Sequence, residues 1–156
     1  MPESPQQVIS DFLAQKRIAV VGASRNPRDF NASMFRTLRE RGYDAVPVNP
    51  NATEIEGVPC YARVQEIQPP VQAALVMAKP EVAEKVVQDC REAGIARVWL
   101  YGTSGKSNSP QAVEFCRANG IAVVPGFCPN MFLDGTAWFH RFHGTLLKIV
   151  GKYPAC

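Results

Sequence analysis

The residues of this sequence that could perform chemistry lie in one loop near the amino terminus and in one stretch near the carboxyl terminus. The loop is Gly22 to Pro27 (GASRNP), and it follows a short apolar run that ends at Val21. Glycine lets the backbone turn sharply or approach a ligand, and the free N–H groups at the start of a following helix attract anions. The pattern predicts a site for a small molecule that bears phosphate.

The second group of candidates is Cys128, His140 and His143, in an aromatic-rich stretch. A single cysteine needs a neighbouring base to become a nucleophile, and two histidines three positions apart on a helix provide at most half of a tetrahedral metal site. Packing roles are the more common use of such residues. We therefore predict neither a catalytic residue nor a metal ion, and keep catalysis by these three side chains as an alternative.

Positive charge surrounds the first loop, but the whole chain carries a net charge of only +3. Nucleic-acid binding usually requires a clustered basic face, so we predict a small-molecule ligand and no nucleic acid. Lys79 at a predicted helix start also favours a nearby anion, because a cation is poorly placed at that end of the helix dipole. The arginines near the loop are Arg25, Arg28, Arg36, Arg39 and Arg41.

Short apolar runs alternate with helical patterns along the chain, which is typical of a parallel sheet with helical crossovers. The predicted strands are Lys16–Gly22, Tyr43–Val48, Val71–Ala78, Arg97–Tyr101 and Ile121–Pro125. Ser4 and Ser109 are predicted helix caps, and Gln7 is predicted to complete a capping box. The predicted helices run from Pro5 to Gln15, from Asn31 to Arg41, from Pro80 to just before Gly94, and from Pro110 to Asn119. The third of these helices is predicted to turn Val82, Val86 and Val87 inward. A loop is predicted over Asn51–Ala62, followed by a short helical turn near Val64–Ile67.

These elements predict an α/β fold, a Rossmann-like three-layer domain with a mostly parallel sheet of five or six strands. With 156 residues and 46% hydrophobic composition, residues 1–156 are expected to form one domain. Residues 126–156 form an aromatic-rich C-terminal extension, with one helix expected over Thr136–Val150. This extension would cover a sheet edge or form a subunit interface.

Cysteine usage and hydropathy indicate the compartment. The five cysteines are an odd number with no C-x-x-C pair, so we expect reduced thiols rather than a disulfide framework. No apolar run approaches the ~18 residues of a membrane span, and the amino terminus lacks the pattern of a signal peptide. A cytoplasmic location is predicted.

The first loop does not fit the NAD fingerprint, which has the pattern G-x-G-x-x-G and an acidic residue at the end of the second strand. Only the first glycine is present, and the second strand ends in Pro47-Val48-Asn49-Pro50. Ordinary NAD use is disfavoured, while an NADP site that uses Arg25 or Arg28 remains an alternative.

Four strand-end motifs together resemble the CoA-binding domain family: V-G-A-S after the first strand, P-V-N-P after the second, a tryptophan in the fourth and Cys-Pro after the fifth. The family comprises small stand-alone bacterial proteins that are similar to the CoA-binding domain of the succinyl-CoA synthetase alpha subunit. The resemblance extends over Ile18 to Pro129. Two positions depart from the family pattern, namely Ala52 in place of a lysine and Tyr101 in place of a glutamine.

The resemblance implies a site for coenzyme A at the carboxyl ends of the strands. The CoA phosphates would lie against the first loop, the adenine or its ribose against the end of the third strand, and the loop after the fourth strand would line the other side. The implied cofactor-binding residues are Gly22, Ala23, Ser24, Arg25, Asn26, Pro27, Pro50, Met77, Lys79, Tyr101, Gly102 and Thr103.

We therefore expect a protein that holds coenzyme A or an acyl-CoA without chemistry of its own. The alternatives are a subunit of a split acyl-CoA synthetase or transferase and a degenerate NADP-dependent reductase. The expected partners are the CoA ligand and either further copies of this chain or a synthetase subunit.

Overall fold

The computed structural model describes residues 4–101, 109–129 and 132. These residues form an α/β domain whose elements alternate as expected. The strands are β1 (Arg17–Val21), β2 (Asp44–Val48), β3 (Glu54–Ile55), β4 (Val58–Pro59), β5 (Ala73–Val76), β6 (Arg97–Leu100) and β7 (Ala122–Pro125). The helices are α1 (Pro5–Leu13), α2 (Phe30–Glu40), α3 (Pro80–Glu92) and α4 (Pro110–Ala118), with a 3-10 turn at Val64–Glu66.

Five of the strands form one parallel sheet in the order β2-β1-β5-β6-β7. At its carboxyl edge Val21 of β1 is level with Val48 of β2 on one side and Val76 of β5 on the other. The chain first adds a strand on one side of β1 and then crosses to the other side. The crevice between the ends of β1 and β5 is therefore the switch point at which ligands bind in open parallel sheets.

Helices cover both faces of the sheet and give the predicted three layers. On one face α1 and α2 bury large side chains, among them Phe12, Phe35 and Trp99. On the other face α3 and α4 bury smaller ones, such as Val87, Cys90 and Cys116. The Rossmann-like fold class is thereby confirmed, with five strands in the main sheet of the described residues.

The helix starts follow the predicted chemistry, because a serine hydroxyl satisfies an amide that has no partner within the helix. Ser4 Oγ accepts a hydrogen bond from Gln7 N, and Ser109 Oγ accepts one from Ala112 N. The prediction that Gln7 completes a capping box at α1 is wrong, because the Gln7 side chain donates to Asp11 Oδ1 instead of bonding back to the N-cap residue.

The stretch predicted as a loop over Asn51–Ala62 contains a small hairpin of β3 and β4. Glu56 and Gly57 connect the two strands with φ values of 50° and 81°, the positive angles of a tight hairpin turn. Strands of two residues are too short to show an alternating pattern, which is why the sequence did not reveal them.

One helix face differs from the prediction. The buried residues of α3 are Ala83, Val87 and Cys90, whereas Val82 is 48% exposed. The prediction that Val82 points into the core is wrong, because the stripe that packs on the sheet begins one residue later.

The predicted loop at 102–108 and the predicted helix over Thr136–Val150 lie outside the described residues, as do His140 and His143. In the part of the chain that is described, no helix is long and apolar enough to span a bilayer.

Candidate functional site

Gly22 marks the closest approach between the ends of β1 and β5. Its φ is +90°, a conformation that favours glycine, and a Cβ atom built there would lie 2.2 Å from the carbonyl oxygen of Met77. Any side chain at this position would therefore collide with the backbone of the neighbouring strand. The sequence predicted a sharp turn or a close approach to a ligand at Gly22, and the structure shows a turn with positive φ and a close approach to the backbone that follows β5.

Asn31, in the first turn of α2, joins the same two strand ends. Its side chain is buried, and Nδ2 donates to the carbonyl oxygens of Gly22 at 2.8 Å and of Met77 at 3.1 Å. The Asn31 Oδ1 atom is buried without a hydrogen-bond partner among the described residues. The sequence analysis missed this residue, although one signal was available. Asn31 precedes Met34 and Phe35 by three and four positions, so it is a polar residue on the apolar stripe of the helix.

The loop between Gly22 and α2 is held in shape by its own side chains. Asp29 accepts hydrogen bonds from Ser24 Oγ at 2.7 Å and from Asn26 Nδ2 at 3.0 Å. Asn26 N donates to Ser24 Oγ, and Arg28 N donates to Asn26 Oδ1. Two of the predicted phosphate-binding side chains, Ser24 and Asn26, are thus already partners of a carboxylate.

Ala23 and Asn49 attach this loop to the end of β2. Ala23 is fully buried, and its carbonyl oxygen accepts a hydrogen bond from Asn49 Nδ2 at 3.0 Å. In the sequence Asn49 was noted as a non-acidic residue at the strand end and as part of the P-V-N-P motif, without a role for its side chain. Its role here is structural support, because it fixes the loop to the neighbouring strand.

No side chain of the N-cap residue caps α2. Asp29 occupies the N-cap position, but its side chain makes no capping hydrogen bond to the helix. The first backbone N–H groups of a helix have no partner within the helix, so those at the start of α2 have neither an intrahelical acceptor nor a cap from Asp29.

The cations around the loop divide into two groups. Arg25 and Arg28 are exposed, and no hydrogen bond or ion pair to another described residue occupies either guanidinium. Arg36 instead pairs with Glu56 at 3.0 Å, and Arg39 reaches the Glu56 carbonyl oxygen. The first two are exposed in the loop, whereas the second pair attaches α2 to the β3–β4 hairpin.

The predicted residues at the end of β5 differ in what they offer. The Met77 side chain is only 2% exposed and lies in the core, so it can meet a ligand only through its backbone. Lys79 is exposed at the N-cap of α3 and makes no side-chain capping bond. Ala78 and Pro50 line a cleft of about 330 Å³ together with Gly22.

Tyr101, at the end of β6, is 5% exposed and its ring lies 5.6 Å from that of Phe30. Its backbone N–H donates to Val76 O at 2.9 Å, which continues the sheet by one residue. Gly102 and Thr103, the other predicted residues of this segment, lie outside the described residues.

Three cysteines of the described chain, Cys60, Cys90 and Cys116, are free thiols. Burial raises the pKa of all three, that of Cys116 to about 12, so they are protonated near neutral pH. Cys128 is fully buried. No three His, Cys, Asp or Glu side chains converge as metal ligands within the ranges that the structure covers.

Comparison with known proteins identifies the family to which this site belongs. The sequence pattern of the CoA binding domain family matches residues 16–133. This chain belongs to the CoA-binding domain family. The predicted resemblance over Ile18 to Pro129 is thereby confirmed.

Relatives of this CoA-binding domain occur both as parts of large enzymes and as small proteins. The alpha subunit of the ADP-forming acetate–CoA ligase II of Pyrococcus furiosus is 28% identical in an alignment of 125 positions, and this alignment covers 75% of this chain and 27% of that subunit. The uncharacterized protein YneT of Bacillus subtilis is 28% identical over 113 residues, which are 72% of this chain and 82% of that protein. The chain therefore spans about a quarter of the ligase subunit and most of YneT.

A solved structure supports the same fold. A conserved hypothetical protein from Pyrococcus furiosus superimposes with a TM-score of 0.67 at 32% identity, covering 72% of this chain and 95% of the other. The similarity thus covers nearly the whole length of the small Pyrococcus protein but only about a quarter of the ligase alpha subunit.

Proposed function

We propose that this CoA-binding domain holds coenzyme A, free or acylated, at the carboxyl ends of β1, β2 and β5 and performs no chemistry of its own. The observation that carries the proposal is the close approach at Gly22, which brings two strand ends together at the start of the loop that leads to the uncapped amino terminus of α2. A diphosphate fits such a place, because backbone N–H groups and the helix dipole both favour negative charge.

The first loop supplies the proposed diphosphate contacts. Arg25 and Arg28 stand beside the open terminus of α2, and their guanidinium groups have no partner among the described residues. An arginine fork can donate two hydrogen bonds to one phosphate, so the pair provides both charge and orientation. Ser24 would turn its hydroxyl from Asp29 towards the ligand, while Asn26 keeps the loop closed.

Binding without catalysis is supported by the chemistry of the thiols. The three free cysteines of the described chain are protonated at neutral pH because burial raises their pKa. A nucleophile must be activated by a base or by a lowered pKa, and the pKa of each of these three thiols is raised.

The same proposal includes a cytoplasmic location and association of the protein with further copies of this chain.

A second candidate function is favoured by the ligase relatives. In that case the chain would act as part of a split acyl-CoA synthetase, supplying the CoA site to a partner subunit. The similarity to an alpha subunit of an ADP-forming acetate–CoA ligase is the observation behind it. Stable co-purification with an ATP-binding subunit and ligase turnover of the complex would favour this candidate over a stand-alone binder.

The deciding experiment is calorimetric titration of the purified protein with CoA, acetyl-CoA, NADPH and ATP. We expect CoA to bind in the micromolar range and to compete with acetyl-CoA. Tight NADPH binding that CoA does not displace would overturn the proposal in favour of the reductase alternative.

A substitution localises the site. Ser24→Glu places volume and negative charge beside the proposed diphosphate, so CoA affinity should fall by tenfold or more while the fold is retained. Ser10→Glu, on the exposed face of α1, makes the same change away from the strand ends and serves as the control. Equal CoA affinity in a folded Ser24→Glu variant would remove the first loop from the site.

A further inference from the structure

The outer edge of β7 borders a groove of about 780 Å³, away from the strand ends of the candidate site. Pro5 and Val8 of α1 line this β7 groove from one face of the sheet, and Val123 and Pro125 line it from the strand itself. Among the described residues that line it, Arg117 at the end of α4 is the only charged one. The groove therefore offers an apolar surface to whatever lies in it.

The two outer strands of the sheet differ in how the described part of the chain covers them. At β2 a parallel bridge joins Val48 to Tyr61. Tyr61 N donates to Pro47 O, and the Tyr61 carbonyl oxygen accepts from Asn49 N. At β7 the described residues provide a strand only on the side of β6. An uncovered outer strand invites association with other chains, so proteins usually cover it.

The backbone of β7 favours an apolar cover over an added strand. Ala122 N and Gly126 N donate to carbonyl oxygens on the side of β6. Because backbone groups alternate in direction along a strand, Val123 and Pro125 direct theirs to the outer side. Proline has no N–H group, so Val123 is the only residue of β7 that could donate to a strand added there. A second copy of this chain would meet the same limit if two β7 strands paired.

The carboxyl-terminal segment begins beside the β7 groove. Phe127 lines the groove, and its carbonyl oxygen accepts a hydrogen bond from Trp99 Nε1 at 2.7 Å. The Phe132 ring lies 5.7 Å from the Trp99 ring, and Trp99 is level with Val124 of β7. Residues 133–156 are therefore tethered next to the groove, and a short tether gives a local concentration of about a millimolar or more.

The sequence of this segment has an apolar stripe that suits the groove. In the helix predicted over Thr136–Val150, six apolar residues fall within about 120° of the helix circumference, at about 100° per residue. These residues are Trp138, Phe139, Phe142, Leu146, Ile149 and Val150. A helix of this extent is about 22 Å long and a strand of four residues is about 13 Å long, so the stripe can follow the whole of β7.

We propose that residues 136–150 pack this apolar stripe into the β7 groove, against β7 and the start of α1, and thereby cover the second outer edge of the sheet. The contact removes apolar surface of both partners from water, which drives the packing. The tether favours this segment over a second copy, which would lose its free translation and rotation on binding. Association of the protein with further copies would then use another surface.

Trp138 reports on this contact in the full-length protein, because the other tryptophan, Trp99, is fully buried. Acrylamide, a neutral quencher, should leave the wild-type emission nearly unquenched. Val123→Glu puts a charge into the groove and should release the segment, so the quenchable share of the emission should rise to roughly half, that of one tryptophan in two. Val82→Glu makes the same change at a half-exposed position of α3 outside the groove and should leave the quenching unchanged.

A second variant keeps the test valid if Val123→Glu does not fold. Val8→Glu makes the same change in charge on the α1 side of the groove and should also make Trp138 quenchable, whereas Ser10→Glu, at an exposed position of the same helix, should not. Thermal unfolding shows which variants are folded. Emission that is already half quenchable in the wild-type protein, or that stays protected in every folded groove variant, overturns the proposal.

Dilution distinguishes the tethered segment from a second copy. Protection of Trp138 should stay constant over a roughly hundredfold range of protein concentration, because a tethered contact does not depend on concentration. Protection that is lost on dilution, together with a fall in the mass measured by sedimentation, would assign the groove to a second copy and overturn the proposal. The measurement uses no ligand, so its failure would leave the proposed function standing.

Discussion

The loop after β1 and the cleft beside α3 are neighbours at one edge of the sheet, yet they are built in opposite ways. In the loop, polar side chains bond to each other around the Asp29 carboxylate, which defines the backbone before any ligand arrives. In the cleft, Val82 of α3 is half exposed and Lys85 has no partner in the described chain. The loop therefore keeps its shape through its own hydrogen bonds, whereas the cleft presents side chains that have no such contacts among the described residues.

Gly22 is shared by both regions, so its substitution should have the largest effect. Gly22→Ala forces a Cβ atom against the Met77 carbonyl in addition to straining φ, and we expect a loss of about 3–5 kcal/mol in the free energy of unfolding. Urea denaturation measures this value.

Gly42→Ala is the matched control. Gly42 has nearly the same φ, +91°, but among the described residues no atom other than those of its two chain neighbours lies within 4 Å of the place that an alanine methyl group would take. It should therefore lose only about 1 kcal/mol, the cost of the backbone conformation. Equal losses in the two variants would show that strain in φ, and not contact with β5, makes glycine necessary.

Asn31→Ala should have the next largest effect, because it leaves the Gly22 and Met77 carbonyls without their donor. We expect the free energy of unfolding to fall by about 2–3 kcal/mol and CoA affinity to fall with it, since the strand ends are no longer joined. Asn119→Ala is the control, because Asn119 also donates to one carbonyl, that of Phe115, at the far end of α4. That variant should lose about 1 kcal/mol of stability and no affinity.

Asp29→Asn should have the smallest effect and the opposite sign. The amide can still bond within the loop, but the negative charge near the proposed diphosphate is gone, so CoA should bind about two- to fivefold more tightly at low salt. The test is calorimetry at two salt concentrations, with Glu40→Gln at the far end of α2 as the control. Weaker CoA binding in Asp29→Asn would mean that the charged loop network matters more to the ligand than the repulsion does.

Much of the fold could be predicted because its signals are local. Short β-branched runs, serines before prolines and glycines after helices determine element type within a few residues, and the observed limits differ from the predictions by one or two positions at most ends. The hairpin of β3 and β4 is the exception, since its two-residue strands depend on pairing with each other and not on a pattern of their own.

The candidate site was predicted where it depends on the backbone and missed where it depends on packing. Gly22 could be recognised because positive φ is a property of one residue, whereas the role of Asn31 depends on two carbonyls that are distant in the chain. Whether Val82 is buried depends on how α3 is rotated about its own axis on the sheet. The valines at 82, 86 and 87 do not reveal that the buried stripe begins at Ala83. The environment of Lys85 is likewise defined only after the 3-10 turn has packed beside α3.

The Asn31 amide has a consequence for how this protein can change over evolutionary time. The segment from position 22 to position 31 is held at both ends. Asn31 holds its last residue to the ends of β1 and β5 through two hydrogen bonds, and Gly22 is its first residue, at the end of β1. The intervening positions 24–29 are largely exposed and contribute little to the core. Mutations there leave the two fixed ends in place, so under the proposed function ligand preference would change in this segment without first requiring a compensating gain in stability.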